Sequence, residues 1–159
     1  MATYIQNFKK FQPLLNELIM RDIKTKYRKS ILGVFWTILN PLFMMVVLSV
    51  VFSNLFKFDV EYFPVYLLSG QLIFNFFNEA TTNAMGAIVA NGPLIKKIYV
   101  PKYMFVLSRI FSSSINLLAS FTAMIFVMLA MRVELHYTVL LAPIPLIFIV
   151  FFSLGVGLI

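Results

Sequence analysis

Cysteine is missing from this sequence, and histidine occurs once, at His136. Without cysteine there is no disulfide, no thiolate metal site and no cysteine nucleophile. One histidine is too little for a histidine-rich metal site or, from this chain alone, a Ser-His-Asp triad. Charge is scarce as well. Only 12% of the residues are charged and 61% are hydrophobic, against about 25% charged in a typical soluble domain. Such a chain has too little polar surface to cover a soluble globule, so lipid is expected to be the solvent for most of it. The glycines are Gly33, Gly70, Gly86, Gly92, Gly155 and Gly157. None opens a G-x-x-x-x-G-K-S/T phosphate loop, so ATP hydrolysis is not expected here.

What is present is apolar sequence in long runs. Four stretches reach the roughly 20 mostly apolar residues that a spanning helix needs, at about 31–56, 62–84, 110–131 and 139–159. None shows the sustained period-2 alternation of a membrane strand. The expected fold is an all-α integral membrane protein. Residues 1–30 form a cytoplasmic amphipathic interface segment, and 31–159 a transmembrane domain with a cytoplasmic loop at 85–109. No repeat or low-complexity tract divides the chain. The N-terminal basic region is too long, and the first apolar run too extended, for a cleaved secretory signal. The fourth run, ending "FFSLGVGLI", has no flanking charge to mark an interface. A truncated chain, or a fragment of a longer one, is expected.

The formal charge of +7 is informative through its placement. Residues 1–30 hold Lys9, Lys10, Arg21, Lys24, Lys26, Arg28 and Lys29, and 85–109 adds Lys96, Lys97, Lys102 and Arg109 with no acid. The short links near 57–61 and 132–138 carry only Lys57 and Arg132, beside Asp59, Glu61 and Glu134. Positive-inside bias therefore puts the N-terminus and the 85–109 loop in the cytoplasm. The basic excess reports topology, and no nucleic-acid partner is expected.

Residues 14–28 are patterned as a helix. Leu14, Leu15, Leu18, Ile19 and Ile23 share one face, with Glu17, Arg21, Lys24 and Arg28 opposite. Glu17–Arg21 and Asp22–Lys26 have the favourable four-residue spacing for ion pairs, and Pro13 suits a helix start. Such a helix is expected to lie in the plane of the cytoplasmic leaflet, in contact with membrane lipids. A generic juxtamembrane anchor is the plainer reading. Ile31-Leu32-Gly33 then offers a corner, and Trp36 sits where an interfacial indole is favoured. Pro41 is expected to kink the first run, freeing a carbonyl within reach of Asn40 or Thr37.

Two further segments are candidates for function. Asn91-Gly92-Pro93 reads as a turn followed by a helix start. After it, Leu94, Ile95 and Ile98 are apolar anchors beside Lys96 and Lys97, and Pro101-Lys102 closes the segment. A short helix of this kind suits docking into a groove on a cytoplasmic partner; a plain positive-inside loop has the same composition. In the second run Gln71, Asn75, Asn78 and Thr82 fall near one line of a helical wheel, with Glu79 adjacent. The third run answers with Ser108, Ser112, Asn116 and Ser120. Two readings stand: hydrogen bonding between these helices, or the lining of a path for a polar substrate. Glu79, toward the cytoplasmic end, suits snorkelling or a salt bridge to Arg109. Phe52, Phe56, Tyr62, Phe63 and Tyr66 read as an aromatic belt at the outer end.

Arg21-Asp22, Lys26-Tyr27-Arg28, Ser30, Leu32-Gly33, Trp36 and Asn40-Pro41-Leu42 resemble the N-terminal signature of type-2 ATP-binding-cassette (ABC) permeases. "NGPLIKKIYVPKYMFVLSRI" is similar to that family's first cytoplasmic loop, through Asn91, Leu94-Ile95-Lys96-Lys97, Pro101-Lys102 and Ser108. The likeness is nearest to bacterial exporters of polysaccharide, O-antigen and teichoic acid. It implies six spanning helices per subunit, four of them expected here, and a permease homodimer in the bacterial inner membrane. It also implies a lipid-linked glycan substrate and separate ABC ATPase subunits that supply ATP and Mg, with no cofactor on this chain. By the same likeness, Leu94, Ile95, Lys96, Lys97, Pro101 and Lys102 belong to an ATPase-coupling helix. Arg21, Asp22, Lys26, Tyr27 and Arg28 belong to the interface helix, and aromatic rings would stack on sugar faces. Leu68-Ser69-Gly70-Gln71 looks like the signature loop of an ABC ATPase but lacks its second glycine and sits inside an apolar run. The competing readings are a drug or small-molecule exporter permease and a non-transporting membrane scaffold fragment. A membrane-embedded glycosyltransferase is weaker, because the loops lack acidic clusters.

Overall fold

A computed structural model describes residues 2–28, 35–56, 62–97, 99–133 and 137–159, with backbone alone at 2–10, 37, 53–56, 138 and 140. Lys29, Ser30, the Ile31-Leu32-Gly33 corner, Lys57, Asp59, Glu61, Ile98, Glu134 and His136 lie outside the described residues. So do the side chains of Lys9, Lys10, Thr37 and Phe56. The described elements are helices throughout: α1 (Ala2–Arg28), α2 (Phe35–Phe56), α3 (Phe63–Ala90), α4 (Gly92–Lys97), α5 (Tyr103–Ala130), a 3-10 turn (Tyr137–Leu141) and α6 (Pro143–Gly157).

Among the described residues only α5 is both long and apolar enough to cross a bilayer. Its 28 residues span about 42 Å at 1.5 Å per residue. Only 28% of its most apolar stretch is buried, unlike the core helix of a soluble protein. Shorter apolar helical segments occupy Ile38–Phe52 and Pro143–Gly157. α3 is equally long but is interrupted by its amides and Glu79.

The helices overrun the expected apolar limits. α3 continues to Ala90 and α5 begins at Tyr103, so the expected 85–109 loop contracts to residues 91–102. Apolarity marks where lipid contact ends, whereas a helix ends at a breaker. Residues 85–90 contain only the isolated Gly86, which a helix tolerates, before Asn91-Gly92-Pro93, and Pro101 holds off the next helix. α5 closes in a left-handed C-cap: Arg132 has φ 53°, Arg132 N donates to Leu129 O and Val133 N to Met128 O. Pro13 corrects the expected start of the first helix. α1 begins at Ala2 and runs through Pro13, which is exposed and removes one intrahelical hydrogen bond without clashing against the bundle.

Three clusters along α3 and α5 hold the bundle together and set its directions. Leu68 of α3 packs with Met124 and Met128 of α5 and Met45 of α2. Leu72, Phe76 and Ala80 pack with Leu117. Ala84 and Ala87 pack with Met104, Phe105, Val106 and Ile110. As numbers rise along α3 they fall along α5, so the pair is antiparallel. α6 runs antiparallel to α5, with Leu146 against the middle cluster and Leu154 against the last. Outward, Phe43, Val46, Val47 and Val50 of α2 and Ile147, Phe148 and Phe151 of α6 are exposed. Such faces suit lipid tails.

The apolar stripe of α1 is covered by protein. Leu15 and Leu18 are buried in the cluster of Val100, Met104, Phe105 and Val106, with Leu14 and Ile19 packed against it. Further along, α1 meets Arg109 through Asp22 and Asn116 through Tyr27. α1 therefore runs parallel to the first half of α5 and brings its charged C-terminal end to the middle of that helix.

Candidate functional site

Three polar contacts fasten α1 to the bundle. Arg21 and Asp22 form the first. Arg21 Nη2 donates to Asp22 Oδ1 at 3.0 Å and to Asn91 Oδ1 at 2.9 Å, joining α1 to the α3–α4 turn. Asn91 is buried and also donates through Nδ2 to Ala87 O at 2.8 Å, capping α3. From the other side, Arg109 Nη1 of α5 approaches Asp22 Oδ2 at 3.3 Å. One shielded carboxylate thus stands between two guanidiniums. The third contact lies further along α1, toward the middle of α5. Lys26 Nζ and Asn116 Nδ2 both donate to Glu79 Oε1 at 2.7 Å, and Tyr27 Oη donates to Asn116 Oδ1 at 2.6 Å.

These pairings correct three expectations. Glu79 is bonded to Lys26, not Arg109, and Arg109 is taken by Asp22. Neither Glu17–Arg21 nor Asp22–Lys26 forms an ion pair among the described residues. A four-residue pair on a helix surface is worth only about 0.2–0.5 kcal/mol. Carboxylates facing the bundle interior gain more from partners that satisfy them where water is scarce. The contacts ring a polar cavity of about 600 Å³ between α1, α3 and α5. Its wall includes Arg21, Asp22, Lys26, Glu79, Asn83 and Arg109. Among the described residues no three His, Asp or Glu side chains are grouped to hold a metal ion.

α4 forms where expected, with Asn91 as the turn and Pro93 in the first helical turn. Its apolar residues are half-buried, so part of their surface is shared with the bundle. Leu94 and Ile95 pack against the bundle's own core cluster. A six-residue helix carries only a turn and a half of backbone bonds, so it needs that seat to persist. Lys96, Lys97 and Lys102 are exposed, Pro101 is half-buried, and Tyr99 is 97% exposed. Tyr99 was not singled out from sequence, where an isolated aromatic in a basic loop gives no signal.

The α3 stripe divides. Glu79 bonds to α5 and α1, while Asn75, Asn78 and Thr82 are exposed. Gln71 is half-buried, and its Oε1 has no hydrogen-bond partner among the described residues. The second α3–α5 hydrogen bond comes from Asn83, whose Nδ2 donates to Ser113 Oγ at 3.2 Å. Both residues lie one position beyond the stripe members Thr82 and Ser112, and Asn83 is four residues from Glu79, the only available cue. On α5, Ser108 is fully buried and donates back to Phe105 O. Pro41 borders a void of about 40 Å³ shared with Asn75, Glu79, Asn116 and Ser120. That space mixes apolar walls with several polar groups and is large enough for water. Asn40 is exposed.

The sequence of the chain is similar to that of known proteins. A family model described as ABC-2 type transporter matches residues 13–159. The chain belongs to that family. Among its relatives, an O-antigen export system permease protein RfbA of Klebsiella pneumoniae is 27% identical over 150 residues, covering 92% of this chain and 57% of its own length. RfbA of Myxococcus xanthus is 25% identical over 155 residues, 98% of this chain and 60% of its own. The polysialic acid transport protein KpsM of Escherichia coli is 35% identical over 77 residues, 46% of this chain and 30% of its own. The chain therefore spans 60% or less of these relatives. Within this family member the α3–α4 turn is bonded to α1 through Arg21, and α1 to α5 through Asp22.

Proposed function

We propose that this chain is permease material of an ATP-driven exporter of lipid-linked polysaccharide, of the O-antigen or capsule kind, in a bacterial inner membrane. It works as a homodimer with separate ABC ATPase subunits that hold ATP and Mg. Four spans cross the membrane, and the N-terminus and α4 face the cytoplasm. Family membership and the glycan-export names of the relatives support this reading over a drug exporter or a scaffold. The observation that carries it is the orientation of α4. Its apolar side packs on the core cluster that α1, α3 and α5 share, while Lys96, Lys97 and Tyr99 are exposed. Force applied to those three would reach α1 through Asn91 and Arg21.

The test is charge reversal. Lys96→Glu with Lys97→Glu is expected to reduce recovery of the ATPase subunit in pull-downs about tenfold and to abolish export, because like charges across an interface repel and slow association. The loss should be smaller at high salt, where exposed charges are screened. Unchanged recovery together with unchanged export removes the coupling role.

Gln71→Leu separates packing from path lining. Replacing an unsatisfied buried carbonyl by a side chain of similar size removes a desolvation cost of about 1 kcal/mol or more, so thermal stability should hold or rise. If Gln71 faces the substrate path, export falls while folded protein does not. A drop in folded protein with proportionate export would assign Gln71 to packing instead.

A further inference from the structure

We propose that the polar cavity between α1, α3 and α5 binds the phosphate of a lipid headgroup, with Arg109 as its principal contact. That this phosphate can be the one on an export cargo rests on the exporter reading above; the site itself does not.

At about 600 Å³ the cavity falls within the range of about 300–1,000 Å³ usual for small-molecule sites. Its floor is fixed and its mouth is open. Asp22, Asn91, Ser113 and Asn116 are buried, whereas Thr25, Lys26 and Ala90 at the edge are exposed. Hydrogen bonds between elements hold the floor: Arg21 to Asn91, Asn83 to Ser113 and Tyr27 to Asn116. With Leu15 and Leu18 seated in the core, α1 is a rigid wall. A ligand therefore meets preformed groups and breaks none of these bonds to enter.

Charge selects the ligand. Arg21, Lys26 and Arg109 line the space against two carboxylates, Asp22 and Glu79. Glu79 holds Lys26, and Asp22 is shared by both guanidiniums, so one positive charge is left over. Arg21 is also bonded to Asn91, whereas Arg109 has a single partner among the described residues. That contact, Nη1 to Asp22 Oδ2 at 3.3 Å, is an ion pair without hydrogen-bond geometry, and the oxygen is closed to solvent. The Arg109 side chain is 27% exposed and keeps its donors unspent. A guanidinium fork in this state matches the oxygens of a phosphate two at a time.

Depth favours a lipid as the carrier. Counted from Tyr103 at 1.5 Å per residue, Arg109 lies about 9 Å along α5. The headgroup layer adds about 5–8 Å to each face of the hydrocarbon, and the anionic group found at that level is lipid phosphate. Glu79 takes both of its bonds through Oε1, which leaves Oε2 to accept a hydroxyl beside the phosphate, as glycerol or a sugar would offer. A bulk phospholipid and a lipid-linked glycan share this chemistry.

The test is native mass spectrometry of the purified 159-residue chain in a nonionic detergent, without any ATPase. The probes are phosphatidylglycerol, a polyprenyl phosphate and, as the phosphate-free control, diacylglycerol. Each phosphate lipid is expected to form a one-to-one complex that diacylglycerol does not form. Arg109→Gln should weaken it about tenfold or more, the worth of a charged hydrogen bond, and Arg109→Lys should recover only part. Lys24→Gln, an equal loss of charge on an exposed residue of α1 outside the cavity, should change nothing. Since Arg109→Gln also disturbs Asp22, Thr25→Trp is the second arm: it obstructs the exposed mouth, removes no charge and should weaken the complex comparably. Stronger binding of the polyprenyl phosphate assigns the site to cargo, stronger binding of phosphatidylglycerol to bulk lipid, and displacement of either by inorganic phosphate shows that the group alone is read; all three uphold the site. Equal weakening by Arg109→Gln and Lys24→Gln overturns it, as does indifference to Thr25→Trp or the lack of any complex beyond that of diacylglycerol. Failure of the Lys96–Lys97 test would withdraw the exporter reading and leave these affinities standing.

Discussion

Asp22→Asn is expected to lower the thermal unfolding midpoint by about 4–8 °C, from a loss of about 2 kcal/mol at about 2–4 °C per kcal/mol for a chain of this size. The substitution keeps shape and volume and removes only the charge. Asp22 is 7% exposed and sits between Arg21, at 3.0 Å, and Arg109, at 3.3 Å. With an amide in its place the two guanidiniums face each other across the same space. Removing one partner of a fully buried pair costs about 3–5 kcal/mol. Arg21 and Arg109 are 43% and 27% exposed, so water relieves part of that here. Arg109→Gln on the Asp22→Asn background should recover stability, because it removes one of the two stranded cations. Melting curves of purified protein followed by size-exclusion recovery read all four members of the cycle. Strictly additive losses would mean that Asp22 and Arg109 do not interact, and the ion pair between α1 and α5 would contribute nothing to stability.

What could be read from the sequence is what depends on local chemistry. The helical character of each apolar run, the Asn91-Gly92-Pro93 turn and the short basic helix after it follow from periodicity and breakers. The amphipathic stripe of α1 was equally visible: Leu15 and Leu18 had to be covered by something. Sequence could not say by what, since Met104 and Phe105 offer the same apolar contact that lipid does. Pairing across helices was harder still. Lys26 and Glu79 are 53 positions apart, and Arg21 and Asn91 are 70 apart. The docking of α1 along α5 brings them together, and that docking depends on the whole apolar stripe rather than on any one residue. Short-range rules favoured Asp22–Lys26, and tertiary geometry overrode a preference worth only a few tenths of a kcal/mol.

The last expectation concerns a residue that no motif marks. Gly157→Ala should destabilise the protein, by up to about 2 kcal/mol, even though alanine is the better helix former. α6 settles against α3 and α5 with Ser153 fully buried and Gly157 one turn further on, the small-residue spacing that lets helices approach closely. A Cβ added at Gly157 would lie 2.9 Å from Ile110 Cδ1 and 3.1 Å from the Ala84 Cβ. Propensity alone favours alanine by about 0.8–1 kcal/mol, whereas overpacking a filled core costs about 1–3 kcal/mol. Ile110 is completely buried, so its methyl has no free space to move into, and the Ala84 Cβ moves only with its backbone. The clash should therefore win. Gly155 and Gly86 supply the contrast, for nothing lies within 4 Å of a Cβ built at either. Gly155→Ala and Gly86→Ala should raise stability by about 0.5–1 kcal/mol. Ile110→Val, which deletes the closest methyl, should cost about 0.5–1.5 kcal/mol alone and less beside Gly157→Ala. If Gly157→Ala and Gly155→Ala stabilise alike, α6 does not lie in the α3–α5 groove, and its packing must be redrawn.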